Sequence, residues 1–513
     1  MLGDYMKKFL TVLCCVLTFG LALAGCATVS DISNSSSEVI YNGNAAVMVD
    51  GYLYYGNSYA GDISSFTELS EIDSAAASSY LARLNTNIER EAKGQNFTPL
   101  NTEKVNGDLI ASNYQFMFVL GDYIYYLKPD RHRYESDGSS SYKFNYSVLC
   151  SVGLNGNNAK EVFTFEGEVS RIEVLKYDGS YYIVALANSK LYSIKLNNGW
   201  GDAKVLSVDS GDDQEEVSSV AIPETYQANL KGYSQDWNGT IYYTATNADG
   251  DNIVKQVKVN DKDSAKEIKQ VGGTVSFLYR QNDLIFYTYT NSLNQTQVYY
   301  NDVANATSSD EVISTTRESL FSNLSSISNI YVINTTSCQT VIYKDADGTQ
   351  KYKNNKGGSG LINFYDENGT MSTDYQIMFI NSRTAYMITG TNIYEADFST
   401  LTNSRTSQNI DITARTIVTM TAIQTSGNLY SYDGEYIYYY AQLEELTEEE
   451  QAKIDAEKKA AGIEEETDDS EESAITDQDA GYYLYRVRIN DSKYELIGMT
   501  QFEERHSNYV YKK

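Results

Sequence analysis

The chain has 513 residues, 42% of them hydrophobic, and a formal net charge of −29, so it can bury one large core or two to three ordinary ones. The negative charge excludes nucleic acid as a partner, because duplex binding draws its affinity from Lys and Arg that neutralise phosphates. Forty-six tyrosines and only three prolines favour strands, since aromatic residues suit pleated, half-buried surfaces.

Residues 1–25 have the organisation of a secretory signal peptide. A positively charged start precedes an apolar stretch, Leu10–Gly25, that is too short for a comfortable membrane span. The residues up to Cys26 read Leu-Ala-Gly-Cys and resemble the lipobox of bacterial lipoproteins. The resemblance implies that Cys26 carries lipid and anchors an extracytoplasmic protein to the bacterial cell membrane. The alternative is an ordinary signal peptide in which Cys26 merely follows small residues.

Residues 26–37 connect this anchor to the rest of the chain. They are rich in Ser, Asp and Asn, a composition typical of a short flexible tether. Cys150 and Cys338 are then the remaining thiols, and both lie in predicted strands far apart in the sequence. We interpret them as two buried thiols rather than as one disulfide bond.

A repeat of two strand signals organises residues 38–513. The first signal is a turn dipeptide followed by a Tyr-rich alternating run, as in Asp50–Tyr55. The second is a run of the form Leu-Tyr-x-Ile-x-Leu before another turn, as in Leu191–Leu196 and Leu484–Ile489. Alternation bounded by Asn, Asp and Gly is typical of half-buried strands joined by tight turns. Copies of the first signal start near residues 51, 121, 179, 239, 283, 330, 385 and 434.

The spacing of these copies, roughly 45 to 70 residues, suits a four-stranded blade with its loops. Radial stacking of blades covers the hydrophobic face that each blade alone would leave bare. We therefore predict an all-β fold, a β-propeller of seven or eight four-stranded blades over residues 38–513, with two packed sandwich domains as the alternative. Glu38–Tyr41 and Asn508–Tyr511 are candidates for a terminal strand that completes the last blade.

The last repeat contains an acidic insert, residues 443–480. Sixteen acidic residues stand there against three lysines, so this stretch carries a charge of −13. The sequence predicts a short helix at its start and a disordered, highly charged tail.

The run Ile241–Thr244 resembles the Tyr-Trp-Thr-Asp repeat of receptor-type propellers. Residues 50–500 as a whole resemble the lipid-anchored, Tyr-rich propellers of unknown function on Gram-positive cell surfaces. The Asp and Trp of the receptor repeat are mostly missing from this chain, so the resemblance implies no receptor ligand.

Catalytic and metal-binding motifs do not occur in the sequence. His132 and His506 are the only histidines, and neither lies in a motif with the spacing of a zinc site or a Ser-His-Asp triad. Asp249–Asp251 and Asp345–Gly348 are interpreted as hairpin turns, because a calcium loop needs about six or more oxygens. We therefore assign no catalytic residue, no metal ligand and no cofactor.

Two segments are candidates for binding. The loop Lys128–Arg133 concentrates positive charge, and Arg131, His132 and Arg133 are candidates for contact with an anionic cell-wall polymer or an acidic partner. The alternative is a solvated loop that pairs with neighbouring Asp and Glu. Trp237 is a candidate for stacking on a sugar, or else a packing aromatic.

The tyrosine runs are interpreted as core, with rings packed between blades and hydroxyl groups bonded at the rim. The sequence thus favours a lipid-anchored module that binds or scaffolds a protein or a cell-wall polymer at the envelope. One alternative is a carbohydrate-active enzyme with carboxylates in the propeller funnel. Another is an accessory subunit that presents a ligand to a transporter or receptor. Carboxylates in a deep central pocket would favour the enzyme, and a flat apolar patch the scaffold.

Overall fold

The computed structural model describes the chain between Val39 and Gly498, with gaps. The signal peptide, Cys26 and its tether, the acidic insert 443–480 and the segment Asn508–Tyr511 lie outside the described residues. The described ranges are 39–41, 43, 45–57, 80–85, 102–106, 116–129, 146–207, 214–221, 239–270, 273–281, 284–290, 293–294, 296–302, 331–334, 339–344, 350–355, 362–370, 375–380, 384–397, 410–425, 430–442 and 482–498.

The described residues form thirty-two strands in eight sheets, and six of these sheets are four-stranded and antiparallel. Five of the six contain strands that are consecutive in the chain. The first sheet comprises β1 (Ala46–Val49), β2 (Tyr52–Asn57), β3 (Tyr80–Asn85) and β4 (Thr102–Asn106). The second comprises β5 (Met117–Leu120), β6 (Tyr123–Pro129), β7 (Tyr146–Gly153) and β8 (Lys160–Thr164). The third comprises β9 (Val169–Tyr177), β10 (Ser180–Ala187), β11 (Lys190–Asn197) and β12 (Trp200–Val205). The fourth comprises β13 (Glu216–Ala221), β14 (Thr240–Thr246), β15 (Asn252–Lys258) and β16 (Asp261–Gln270).

The next two sheets depart from the four-stranded pattern. The fifth has three described strands, β17 (Thr274–Gln281), β18 (Leu284–Thr290) and β19 (Thr296–Asp302). The sixth has five, in the order β22-β21-β20-β23-β27. Its members are β20 (Tyr331–Asn334), β21 (Gln339–Lys344), β22 (Gln350–Asn355), β23 (Ile362–Tyr365) and β27 (Ile410–Thr413). The pairs β20–β23 and β23–β27 are parallel.

The last two sheets complete the set. The seventh comprises β24 (Gln376–Phe379), β25 (Thr384–Ile388), β26 (Asn392–Asp397) and β28 (Arg415–Thr419), so the chain leaves it to add β27 to the sixth sheet and then returns. The eighth comprises β29 (Tyr430–Tyr432), β30 (Tyr436–Gln442), β31 (Tyr482–Arg488) and β32 (Tyr494–Gly498).

The predicted repeat is confirmed in seven sheets, whereas the copy near residue 330 forms β20, the first strand in chain order of the sixth sheet. Runs of the first signal form the second strand of seven sheets, namely β2, β6, β10, β14, β18, β25 and β30. The second signal forms the third strand, as in β11 and β31. The turns are the predicted tight ones: Asp50 and Gly51 have φ of 48° and 77°, and Asn198 and Gly199 have 42° and 78°. Positive φ at both central residues is the type I′ geometry that suits the twist of a hairpin.

Among the described residues, hydrophobic clusters pack five pairs of neighbouring sheets together, including the eighth sheet and the first. Val47 and Tyr54 of the first sheet pack with Val119 and Tyr126 of the second. Two further clusters join the second sheet to the third and the third to the fourth. Strand β13 lies beside β17, β17 beside β22, and β22 beside β24, which continues the ring to the seventh sheet. The remaining two clusters join the seventh sheet to the eighth and the eighth to the first. The fold is therefore a closed, eight-bladed β-propeller rather than two sandwiches.

The two ends of the ring differ in their connections. We call the end that carries the turns from first to second strand, such as Asp50–Gly51, and from third to fourth strand, such as Asn198–Gly199, the turn face. The opposite end, the loop face, carries the connections from second to third strand and those between sheets. Strand β5 ends at the turn face.

Residues 39–41 and 43 lie along the inner edge of the ring. Ile40 forms an antiparallel bridge with Val119 of β5, with N···O distances of 2.8 and 2.9 Å, and Gly43 bridges Ser431 of β29. The prediction that Glu38–Tyr41 completes the last blade is therefore wrong, because this segment pairs with the second sheet. Since it runs antiparallel to β5, the chain reaches Val39 from the turn face.

Candidate binding surfaces

The binding residues predicted from the sequence, Arg131, His132, Arg133 and Trp237, lie outside the described residues and stay predictions. The basic segment is described only at its start. There the Lys128 Nζ atom lies 2.9 Å from Glu161 Oε1, in a lateral ion pair on the second sheet. Cys150 is a buried thiol, as predicted, whereas Cys338 lies outside the described residues.

The tyrosine hydroxyl groups bond between neighbouring sheets, which confirms the interpretation of these residues as core. The Tyr54 hydroxyl donates to the Leu154 carbonyl at 2.8 Å, and the Tyr125 hydroxyl accepts a bond of 2.8 Å from the Gly199 N–H. Tyr54 and Tyr125 occupy equivalent positions in β2 and β6, and each contacts the outer turn of the following sheet. Their rings are fully buried. Tyr54 and Tyr125 therefore join neighbouring sheets from inside the core.

Trp200 is an exposed aromatic residue on the turn face. Its side chain is 59% exposed, and among the described residues it shares this property with one other large hydrophobic residue, Leu293. Trp200 begins β12, the outermost strand of the third sheet, directly after the Asn198–Gly199 turn. The position of Trp200 on the rim is thus set by this turn.

The turn before Trp200 is fixed to the second sheet. Besides the bond between Gly199 and Tyr125, the Ser151 hydroxyl donates to the Gly199 carbonyl at 2.7 Å. A Cβ atom on Gly199 would lie 2.6 Å from the Tyr123 ring, so glycine is required at this contact. Trp200 is therefore presented on a rigid hairpin rather than on a loose loop.

Lys160, the first residue of β8, lies beside Trp200. Its ammonium nitrogen is 3.9 Å from the centroid of the indole ring, which is a cation–π contact between the second and third sheets. One face of the indole is thereby covered. The combination offers an amphipathic ring with a positive charge next to it at the rim of the turn face.

The loop face carries exposed carboxylates. Glu168 and Glu367 lie in connections between sheets. Glu216 is the first residue of β13, and Asp249 lies in the turn from β14 to β15. Glu166, also exposed, is paired with Lys190 at 2.7 Å. The described part of the loop face is therefore acidic.

One carboxylate at this end of the ring is buried. The Glu215 side chain, just before β13, is 1% exposed; its Oε2 atom accepts a 3.0 Å bond from Lys255 Nζ, and its Oε1 atom accepts a 3.0 Å bond from the Tyr243 hydroxyl. Burial, with a lesser contribution from Glu215, raises the pKa of Tyr243 far above the ordinary value for tyrosine. This cluster fixes the connection between the third and fourth sheets and exposes no reactive group.

The strands at the centre of the ring carry few carboxylates. Among the described residues of these strands they are Glu173 in β9 and Glu216 in β13. Arg171 Nη2 lies 3.5 Å from Glu173 Oε1, so Glu173 is held in an ion pair. In the described part of the chain, no three His, Cys, Asp or Glu side chains are placed to hold a metal ion. Nor do the described ranges include a helix long and apolar enough to cross a membrane.

Comparison with known proteins gives no family. No family model matches the sequence, and no curated protein matches it. Several solved structures are similar to the chain at low sequence identity. The uncharacterized protein lmo1340 from Listeria monocytogenes EGD-e is 12% identical with a TM-score of 0.28, over 62% of this chain and 85% of that chain. AztD of Citrobacter koseri is 10% identical with a TM-score of 0.28, over 72% and 74%. The C-terminal WD40 domain of Sif2 is 12% identical with a TM-score of 0.33, over 80% and 95%. The propeller assignment rests on the strand topology of the chain itself.

Proposed function

We propose that this protein is a lipid-anchored extracytoplasmic binding module. Cys26 holds it in the bacterial cell membrane, and the loop face of the propeller is presented to a protein or a cell-wall polymer at the envelope. The observation that carries this proposal is the course of the chain at Val39–Gly43, which reaches the ring from the turn face.

The connection to the anchor is short. Twelve residues, 27–38, separate Cys26 from Val39, and thirteen residue steps span at most about 45 Å at full extension. The Val39 N–H also donates to the Tyr181 hydroxyl at 3.3 Å, close to the Asp178–Gly179 turn. An anchor on Cys26 therefore holds the turn face towards the membrane, and the loop face points away from it.

Charge favours the loop face as the partner surface. Its exposed carboxylates include Glu168 and Asp249. Strand β30 ends and β31 begins at this end of the ring, and the sequence between them is the acidic insert. Electrostatic complementarity then favours a partner with a basic surface, whose association is accelerated at low salt.

Cross-linking on intact cells tests the proposal. Asp249→Cys and Asp263→Cys form a matched pair, because both residues are exposed and both belong to the fourth sheet. Asp249 lies in the turn from β14 to β15 on the loop face, whereas Asp263 lies near the start of β16, at the turn face. Each variant is labelled with a thiol-reactive photocross-linker, and captured species are identified by mass spectrometry. A recurrent envelope protein or wall polymer captured from position 249 and not from 263 supports the proposal.

Three other results would contradict it. Capture from position 263 alone would place the partner on the turn face. Retention of the Cys26→Ala variant in the membrane fraction would show that Cys26 does not anchor the protein. Release of shortened glycan by the purified protein would instead favour the carbohydrate-active enzyme.

A further inference from the structure

We infer that Trp200, with Lys160 across its ring, inserts into the lipid interface and seats the turn face of the propeller on the membrane. The occupant of this surface is lipid, and the contact is additional to the anchor. The inference rests on the proposed function, because the anchor at Cys26 is what brings the turn face to the membrane.

The first argument is the position of Trp200. The indole lies on the turn face, from which the chain reaches Val39, and on the outermost strand of its sheet. With the turn face held within about 45 Å of the bilayer by the tether, a side chain on this rim meets lipid at high effective concentration. A contact too weak to hold a free protein therefore suffices for an anchored one.

The second argument is rigidity. Single exposed hydrophobic side chains are common on protein surfaces and need no explanation by themselves. Trp200 differs because the turn before it is held by Tyr125 and Ser151 and tolerates no side chain at Gly199. Little conformational entropy is lost when a side chain on such a hairpin is immobilised at an interface.

The third argument is the chemistry of the pair. Indole has an apolar body and a polar N–H, and tryptophan is enriched where membrane meets water. The Lys160 ammonium nitrogen lies over the indole ring. At a membrane surface, the long aliphatic stem of lysine lets this ammonium group reach water and headgroup phosphates, the arrangement called snorkelling. Both members of the pair thus find their preferred surroundings at the same depth.

The same geometry disfavours a sugar as the occupant. Stacking of a sugar uses an open ring face, and the ammonium nitrogen of Lys160 already lies 3.9 Å from the centroid on one side. Insertion into an interface engages the outer edge of the ring and leaves the contact with Lys160 intact. Glycan binding is therefore the competing outcome of the test.

Tryptophan fluorescence tests the inference, because the chain has only two tryptophans. In the full-length, lipidated Trp237→Phe variant, Trp200 is the sole tryptophan, and excitation at the red edge of indole absorption avoids the forty-six tyrosines. The protein is reconstituted into phosphatidylcholine vesicles that carry a nitroxide quencher near the headgroup. We expect a blue shift and quenching of Trp200. The matched Trp200→Phe variant, which keeps Trp237, controls for general proximity to lipid.

A second measurement separates the contribution of Trp200 to membrane binding from that of the anchor at Cys26. The Cys26→Ala, Trp237→Phe protein is titrated with the same vesicles at high lipid concentration, and further replacement of Trp200 by alanine is expected to weaken partitioning about tenfold. Flotation of the lipidated protein without quenching would overturn the inference and leave the anchor standing. If the lipidated protein did not float but Trp200 were quenched in the titration, the anchor at Cys26 would be refuted and the contact of Trp200 with lipid would stand. An emission shift with soluble wall polysaccharide and none with vesicles would make Trp200 a glycan site.

Discussion

The hydroxyl oxygen of Ser431 lies 2.8 Å from the backbone nitrogen of Ala46, and this bond joins the last sheet of the ring to the first. The same oxygen accepts a second bond, of 2.9 Å, from the Ala45 N–H, and the Ser431 side chain is fully buried. The ring is thus closed by side-chain and edge contacts between β29 and the start of β1. No strand from one end of the described chain is inserted into a sheet from the other.

Replacement of Ser431 by alanine is expected to open this junction. Two buried N–H groups lose their acceptor, so the free energy of unfolding should fall by about 2 kcal/mol. Urea unfolding measures the change. Ser170→Ala is the matched control, because the Ser170 hydroxyl bonds at 3.1 Å to Leu186 within one sheet and lies at an exposed position. Equal losses of unfolding free energy in the two variants would show that the bonds of Ser431 stabilise the protein no more than a bond within one sheet.

Gly43 is the second feature of the junction. Its φ is 122°, and a Cβ atom there would lie only 2.2 Å from the Tyr430 carbonyl oxygen. Gly43→Ala should therefore displace residues 39–43 from the inner edge and destabilise the protein by about 3 kcal/mol. Gly250→Ala is the control, since Gly250 has a φ of 84° but open space around it. That variant should lose only about 1 kcal/mol.

Thermal unfolding and limited proteolysis near residue 43 read out both variants. New cleavage at the N-terminal segment in Gly43→Ala, and none in Gly250→Ala, is the expected pattern. Equal melting temperatures for Gly43→Ala and Gly250→Ala would mean that the N-terminal segment around Gly43 can shift without further loss of stability.

Most of the fold could be predicted from the sequence because its signals are local. A dipeptide such as Asp50–Gly51 specifies its turn by backbone conformation, and the alternation after it specifies a strand. The sixth sheet could not be predicted in the same way. Its parallel pairs join residues far apart, such as Ile362 and Ile410, and nothing in either short apolar run specifies the partner. Residues 38–41 likewise read as a strand, and only packing decides that Ile40 pairs with Val119.

The candidate surface was harder to predict. The Asn198–Gly199 turn marks the position of Trp200 in the sequence, yet exposure follows from how Tyr125 and Ser151 draw this turn onto the second sheet. Glu215 is the opposite case. It lies among acidic residues that read as a solvated connection, and its burial depends on Lys255 and Tyr243 from two later strands.

Glu215→Gln should be strongly destabilising, in contrast to Glu216→Gln beside it. The Lys255 side chain is 13% exposed, and removal of its partner charge leaves the ammonium group uncompensated. We expect a loss of about 3 kcal/mol for Glu215→Gln and less than about 0.5 kcal/mol for the exposed Glu216→Gln. Urea unfolding of both variants measures the difference.

The double variant Glu215→Gln, Lys255→Met completes this test. Removal of the orphaned charge should restore part of the lost stability, because the penalty comes from burying one charge alone. Additive losses in the double variant would show instead that the hydrogen bond to Tyr243, and not the ion pair, stabilises the cluster.

Tyr125 makes the stability of the ring sensitive to alkaline pH. Burial raises the pKa of this residue to about 12, although the hydrogen bond with Gly199 opposes the shift. In the unfolded chain tyrosine loses its proton near pH 10. Below about pH 10 both states are protonated and the contribution of Tyr125 to stability is complete. Between about pH 10 and 12 only the unfolded state releases the proton, so stability falls by about 1.4 kcal/mol per pH unit from this residue.

Comparison with Tyr125→Phe isolates that effect. The variant is less stable than the native protein at neutral pH, because Gly199 loses a bond, but it lacks the titrating group. The difference in unfolding free energy between the two should therefore shrink as pH rises from about 10 to 12. Ser151→Ala removes the other bond to Gly199 without removing a proton, so its difference from the native protein should stay constant across this range. A constant difference for Tyr125→Phe as well would mean that Tyr125 ionises equally in both states, and that the buried hydroxyl at this sheet junction is open to hydroxide in the folded ring.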